Sequence, residues 1–105
     1  MHEWTTLTTR YGRSIRNPTR SQLQAALDEL FASDDQEHPD CWIECGSDGR
    51  PLHALSFLST GVGKYTKYSD VDMSEELQSK SVAAKTPAAA LLLWEHLINE
   101  RYQEL

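Results

Sequence analysis

The chain has 105 residues, 39% of them hydrophobic and 25% charged, with a formal net charge of −6 and a sequence pI near 5.1. That length suits one domain, residues 1–105, rather than two that each bury a core, and the aromatic content separates it from disordered chains. No apolar run approaches the roughly 20 residues of a membrane-spanning helix, and His2, Glu3 and Trp4 do not begin a cationic leader, so the expectation is a cytoplasmic protein without a membrane span.

Behind Trp4, the alternation of Thr5, Leu7 and Thr9 with Thr6 and Thr8 predicts a first strand, and Tyr11-Gly12 turns it toward a short hairpin partner around Ile15. Asn17-Pro18 supplies a cap followed by a proline suited to a first helical position, with Ser21 and Gln24 as an alternative capping box. Leu23, Ala26, Leu27, Leu30 and Phe31 then follow the spacing of a helix that buries one stripe, with Gln24, Asp28 and Glu29 facing water.

Residues 33–40 are acidic and polar and read as an exposed loop. They belong to a segregated charge pattern. Arg10, Arg13, Arg16 and Arg20 make the first twenty residues basic, whereas the 29 residues from Ser21 to Gly49 hold eight carboxylates and neither Lys nor Arg. Such a surface repels phosphates, so nucleic acid is not an expected partner, and it attracts a basic protein.

Cys41, Ile43 and Cys45 alternate with Trp42 and Glu44 in a second strand region, and Ser47-Asp48-Gly49 supplies the turn after it. Leu52 to Ser59 is the returning strand. Gly61-Val62-Gly63 turns again into Lys64-Tyr65-Thr66-Lys67-Tyr68, whose alternation is read as setting the two tyrosines and Thr66 on opposite faces. The three form an antiparallel meander. Asp70 to Ala84 has sparse apolar residues and is left open, with a loop plus a short edge strand as the reading it allows. Thr86-Pro87 repeats the cap-and-proline signal, and Ala88 to Tyr102 reads as a helix burying Ala90, Leu93, Trp94, Leu97 and Ile98. Leu91 and Leu92 widen that stripe and suggest cover on more than one side. The fold class is therefore α+β, an antiparallel sheet of three to five strands packed by two amphipathic helices. Its core is expected at Leu27, Leu30, Phe31, Ile43, Leu55, Phe57, Trp94, Leu97 and Ile98.

The chemistry-bearing residues form no recognisable catalytic constellation. In a strand Cys41 and Cys45 stand about 13 Å apart, beyond disulfide reach; a helix would bring them to about 6 Å, but Trp42 and Ile43 favour strand. Zinc needs three or four ligands, and no second Cys or His pair of suitable spacing follows. Gly61-Val62-Gly63-Lys64 lacks the glycine spacing and following helix of a phosphate loop and reads as a hairpin turn. Ser14, Ser56 and Ser59 lack a nucleophile-elbow context, Asp70 with Asp72 lacks a calcium-loop pattern, and of His2, His38, His53 and His96 only mid-strand His53 is kept as a candidate base. No metal or cofactor is expected. Trp42 either joins the core or points outward beside Glu44 as an interface anchor.

The run Asn17-Pro18-Thr19-Arg20-Ser21-Gln22-Leu23-Gln24-Ala25-Ala26-Leu27-Asp28, the two-strand segment after it and Gly61-Val62-Gly63-Lys64-Tyr65 resemble a family of bacterial immunity proteins that accompany polymorphic and contact-dependent toxins. The resemblance spans about residues 15 to 70; the acidic loop and the Ala-rich last helix are not part of it. It implies a cytoplasmic α+β protein that binds one toxin domain and has no catalysis of its own. The acidic surface points the same way, since a basic toxin domain would be steered toward it. The expected partner-binding residues are Asp34, Asp35, Glu37, Asp40, Trp42 and Glu44, with the edge from Lys64 to Asp72 as the alternative interface. Two other readings stay open: a ligand-binding or enzymatic domain with a pocket of His53, Tyr65 and Tyr68 between sheet and helices, and a subunit that forms a homodimer through a sheet edge.

Overall fold

The computed structural model describes residues 3–32, 40–47, 50–70, 73 and 75–105. Along them run β1 (Trp4–Thr8), β2 (Ser14–Arg16), α1 (Arg20–Phe31), β3 (Asp40–Gly46), β4 (Leu52–Leu58), β5 (Val62–Tyr68), β6 (Glu76–Ala83) and α2 (Pro87–Ile98), followed by a 3-10 turn at Tyr102–Glu104. The strands form one antiparallel sheet in the order β2-β1-β3-β4-β5-β6. The α+β class is as expected, but the sheet has six strands rather than three to five. The segment left open as a loop plus a short edge strand supplies β6, eight residues of which only Val82 is even half-buried. Its ladder to β5, not side-chain burial, holds it, so no hydrophobic alternation announces it.

Helix α1 starts at neither expected cap. Thr19 accepts the Gln22 N–H at 3.2 Å and Gln22 Oε1 accepts the Thr19 N–H at 2.8 Å, a reciprocal capping box. Asn17 is engaged elsewhere. Its φ is 49°, its Oδ1 accepts the Thr5 N–H at 3.1 Å and its own N–H donates to the Thr5 carbonyl at 2.6 Å, which fastens the end of β2 to β1. Asn tolerates this left-handed backbone better than most residues. Ser21 lies inside the first turn.

Helix α2 starts as expected, with the Thr86 hydroxyl accepting the Ala89 N–H at 3.1 Å and Pro87 in the first helical position. It stops at Ile98 rather than Tyr102. Glu100 turns to a φ of 59°, donating to the Leu97 carbonyl at 3.1 Å while the Arg101 N–H reaches the His96 carbonyl at 2.8 Å. These two bonds make a Schellman termination. It brings half-buried Tyr102 and buried Leu105 back against the core.

Both helices lie on one face of the sheet. Leu7, Ile43, Leu55 and Tyr65 form one cross-strand row on that face, with Cys41 opposite Phe57 in the next. Leu23, Ala26, Leu27 and Leu30 of α1 and Ala90, Leu91, Trp94 and Leu97 of α2 close over them. The expected core is buried except at Phe31 and Ile98, which pack half-buried at its margin. Leu92 is 55% exposed, so the cover of α2 on more than one side inferred from Leu91 and Leu92 does not occur. The buried indole of Trp94 donates to the Leu55 carbonyl at 3.0 Å and tilts against Phe57 at 6.0 Å between centroids. Cys41 and Cys45 are buried, unbridged thiols on the same face.

Gly61 makes the β4–β5 hairpin turn with a φ of 89°, and a Cβ there would stand 2.1 Å from the Ala84 carbonyl oxygen. The segment leads into β5, not a helix, in keeping with the hairpin reading.

Leu27→Ala and Leu97→Ala, each at a fully buried helix position, should each cost about 2–5 kcal/mol, whereas Leu92→Ala should stay within about 0.5 kcal/mol of the parent. Urea unfolding midpoints of the three variants check this order.

Candidate functional site

Successive strand residues point to opposite faces, so the residues between those of the core build the face that the helices leave open. At its centre is a hollow of about 340 Å³, lined by Asp40, Trp42 and Glu44 of β3, Ala54 and Ser56 of β4, Lys64, Thr66 and Tyr68 of β5, and Met73. The register explains the concavity: Trp42 lies opposite Ser56 and Ser56 opposite Lys64, while Glu44, Ala54 and Thr66 form the neighbouring row. Short side chains on β4 make the floor and taller ones on β3 and β5 make the walls. The Trp42 indole donates to Glu44 Oε1 at 2.9 Å, which orients the ring along its strand while leaving it half-exposed. Lys64 Nζ stands 3.8 Å from Glu76 Oε1 in an exposed ion pair of small energetic weight. Asp40 and Glu44 leave the β3 wall acidic.

At the β1 end the same face is covered. The Trp4 ring lies across Gly46, where a Cβ would come within 2.7 Å of it, Leu52 is buried beside them, and the Arg16 guanidinium stands 5.3 Å over the Trp4 ring. Apolar contact therefore remains available toward β4, β5 and β6.

Of the expected partner-binding residues, Asp40, Trp42 and Glu44 come together in this hollow. Asp34, Asp35 and Glu37 lie outside the described residues, as do His2, His38, Val71 and Asp72. Trp42 takes the outward option of the two weighed for it. Lys64, Thr66 and Tyr68, which line the opposite wall, belong to the edge from Lys64 to Asp72 held as the alternative interface, whereas Ala54, Ser56 and Met73 were not among the expected site residues. Ser56 carried a signal, since alternation separates it from Leu55 and Phe57 and sets it with Lys64, Thr66 and Tyr68.

That period also corrects the pairing of the tyrosines. Tyr65 faces the helices, whereas Tyr68 shares the open face with Thr66, so a pocket of His53, Tyr65 and Tyr68 is not formed. His53 and Tyr65 do meet: Nδ1 and the hydroxyl are 2.8 Å apart, and the His53 ring stacks on Tyr102 at 4.4 Å. Burial raises the pKa of both tyrosines, and Glu100 adds to the shift of Tyr102. These phenols stay neutral near pH 7 and act as hydrogen-bond partners rather than bases. A smaller hollow of about 200 Å³ lies beside them, bounded by Arg50, Lys67, Glu100 and Tyr102 among others. Among the described residues, no group of three or more His, Cys, Asp or Glu side chains could hold a metal ion.

The thiols are equally quiet. Burial, reinforced by Asp40 and Glu29, pushes Cys41 up to about 12, and burial pushes Cys45 up to about 11 against the lowering hydrogen bond from Thr5. The reactive thiolate is therefore scarce at neutral pH. Compared with protein-family models, with curated proteins and with solved structures, the chain matches none.

Because both thiol pKa values exceed the ordinary 9.0, the folded chain retains protons that the unfolded chain releases. Stability should be unaffected by these groups below about pH 9 and fall as pH rises toward 11 and above, with Tyr65 and Tyr102 adding to the loss at the upper end. Urea midpoints measured at about pH 8 and about pH 10.5 should show the decline, and a Cys41→Ala, Cys45→Ala double variant should make it shallower.

Proposed function

We propose that this chain is a non-catalytic binding domain that seats a protein partner on the open sheet face, and that it serves as an immunity protein neutralising a basic toxin domain in the cytoplasm. The observation that carries the reading is the hollow itself: a half-exposed Trp held by a carboxylate, over a floor of Ala54 and Ser56, with Asp40 on the same wall. Trp is enriched among the residues that dominate interface energies, and the acidic β3 wall of Asp40 and Glu44 accelerates encounter with a basic partner. The acidic stretch that includes Asp34, Asp35 and Glu37 precedes β3 directly in sequence and extends the same charge. The resemblance of residues 15 to 70 to immunity proteins supports the same role. A ligand-binding reading would centre on the hollow beside His53 and Tyr102, but His53 and Tyr65 already satisfy each other there, which favours the open face.

A photo-crosslinking residue at Ser56 should capture a protein partner in the native host, whereas the same residue at exposed Asp28 on α1 should not. With that partner purified, Trp42→Ala should weaken binding by about 2 kcal/mol or more. Asp40→Lys should slow association at low salt and lose that effect as salt screens the charge, and it spares the Glu44 contact that orients Trp42. Capture at Asp28 instead of Ser56 would place the interface on the helices and sink the reading.

A further inference from the structure

Thr66 is only 5% exposed, yet it stands on the face of the sheet away from both helices, in the cross-strand row Glu44, Ala54, Thr66, Ser79, and lines the hollow around Trp42. Among the described residues nothing hydrogen-bonds its hydroxyl. A threonine hydroxyl offers one donor and two acceptor lone pairs, and a group so enclosed ordinarily finds a partner. Its open side is the hollow.

Across the hollow stands Glu44. Its Oε1 accepts the Trp42 indole N–H at 2.9 Å, which leaves Oε2 for a ligand. Among the described residues no cation pairs with Glu44 or Asp40, whereas the one cation lining the hollow, Lys64, has Glu76 of β6 at 3.8 Å. The β3 wall therefore carries negative charge that nothing on the described face offsets. Between Glu44 and Thr66 lies only Ala54, in direct register with both. Neighbouring strands lie about 4.8 Å apart, so the backbones bearing the carboxylate and the hydroxyl are about 9.6 Å apart with one methyl group between them. An ammonium is a point charge that serves one wall of such a gap. A guanidinium is planar, carries five N–H donors aimed in several directions and packs well on an indole ring.

We infer that the hollow seats an arginine side chain of the protein partner, whose guanidinium lies over Ala54 and donates to Glu44 Oε2 on one side and to the Thr66 hydroxyl on the other, with its stem against Trp42. This rests on the protein-binding reading above and names the group that the partner inserts. The charge-assisted bond to Glu44 supplies affinity. The Thr66 hydroxyl supplies the preference for arginine over lysine, because only a donor that reaches both walls satisfies it.

The test uses acetylated and amidated tripeptides in which glycines flank arginine, lysine or citrulline, the uncharged isostere of arginine. In chemical-shift titrations, the arginine peptide should perturb the Trp42 indole N–H and the amides of Ala54 and Thr66, and the lysine and citrulline peptides should bind at least about tenfold more weakly. Glu44→Gln keeps an acceptor for the indole and Thr66→Val keeps the side-chain shape. Each should weaken the arginine peptide at least about threefold, while Asp28→Asn on α1 leaves it unchanged, and Thr66→Val should also narrow the preference for arginine over lysine. Equal response to the lysine or the citrulline peptide, or no perturbation of these groups at ~50 mM peptide, would overturn the inference. With the crosslinked partner, changing the arginine nearest the Ser56 crosslink to lysine should weaken binding at least about tenfold. A crosslinked surface without an arginine, or one whose arginine is replaced without loss, defeats this inference. If Trp42→Ala still weakens that complex, the open-face reading stands; if Trp42→Ala binds as the parent does, that reading falls too.

Discussion

The hydrogen bond from the Trp94 indole to the Leu55 carbonyl is the contact on which the arrangement of layers turns. Trp94 is fully buried, and a buried donor left without a partner would cost about 1–3 kcal/mol. A strand carbonyl has a second lone pair to offer beyond its ladder bond, and Leu55 sits in the central row of the sheet. The bond therefore sets α2 over β4 in one position. Helix α1 packs against α2 and β3, and the apolar stripes of both are used up on that side.

It follows that, among the described residues, no helix covers the other face. An antiparallel sheet tolerates one face in water, and such a face ordinarily carries polar side chains. This one is mixed. Thr6, Thr8 and Ser56 fit that expectation, but Trp42, Tyr68, Met73, Leu58 and Val62 add apolar and aromatic surface, and Asp40 and Glu44 flank it with charge. Contiguous apolar surface rimmed by charge is how binding faces differ from merely wet ones. Trp4, Leu52 and Arg16 close the β1 end, so the exposed apolar and aromatic surface is confined to the half of the face between β3 and β6.

Two left-handed residues other than glycine do structural work away from that face. Asn17 ties β2 to β1 and thereby decides where α1 begins. Glu100 ends α2 and returns Tyr102 over His53, where the stacked rings and the bond from His53 to Tyr65 seal one end of the sheet against α2. His53, which in sequence invites a catalytic reading, is here a packed and partnered side chain near the start of β4.

The elements that bury a stripe were legible in the sequence. Leu23, Leu27 and Leu30, the alternation of Cys41, Ile43 and Cys45, the Gly61 hairpin and the Thr86-Pro87 helix start all follow from local periodicity or turn chemistry, because side-chain spacing reports directly which residues leave water. The segregation of charge between Ser21 and Gly49 is likewise a property of the sequence alone. Strand β6 was legible only as an open reading, because an exposed edge is held by backbone pairing that almost any side chain but proline permits. Nor was the start of α1, since Asn17, Thr19 and Ser21 are all competent caps and only the bond from Asn17 to Thr5, twelve residues away, removes the first from contention. The outward side of Trp42 and the small floor of Ala54 and Ser56 depended on which face the two helices came to cover. Alternation along a strand separates two sets of residues but does not say which set faces the helices; the long-range packing of Trp94 on Leu55 does.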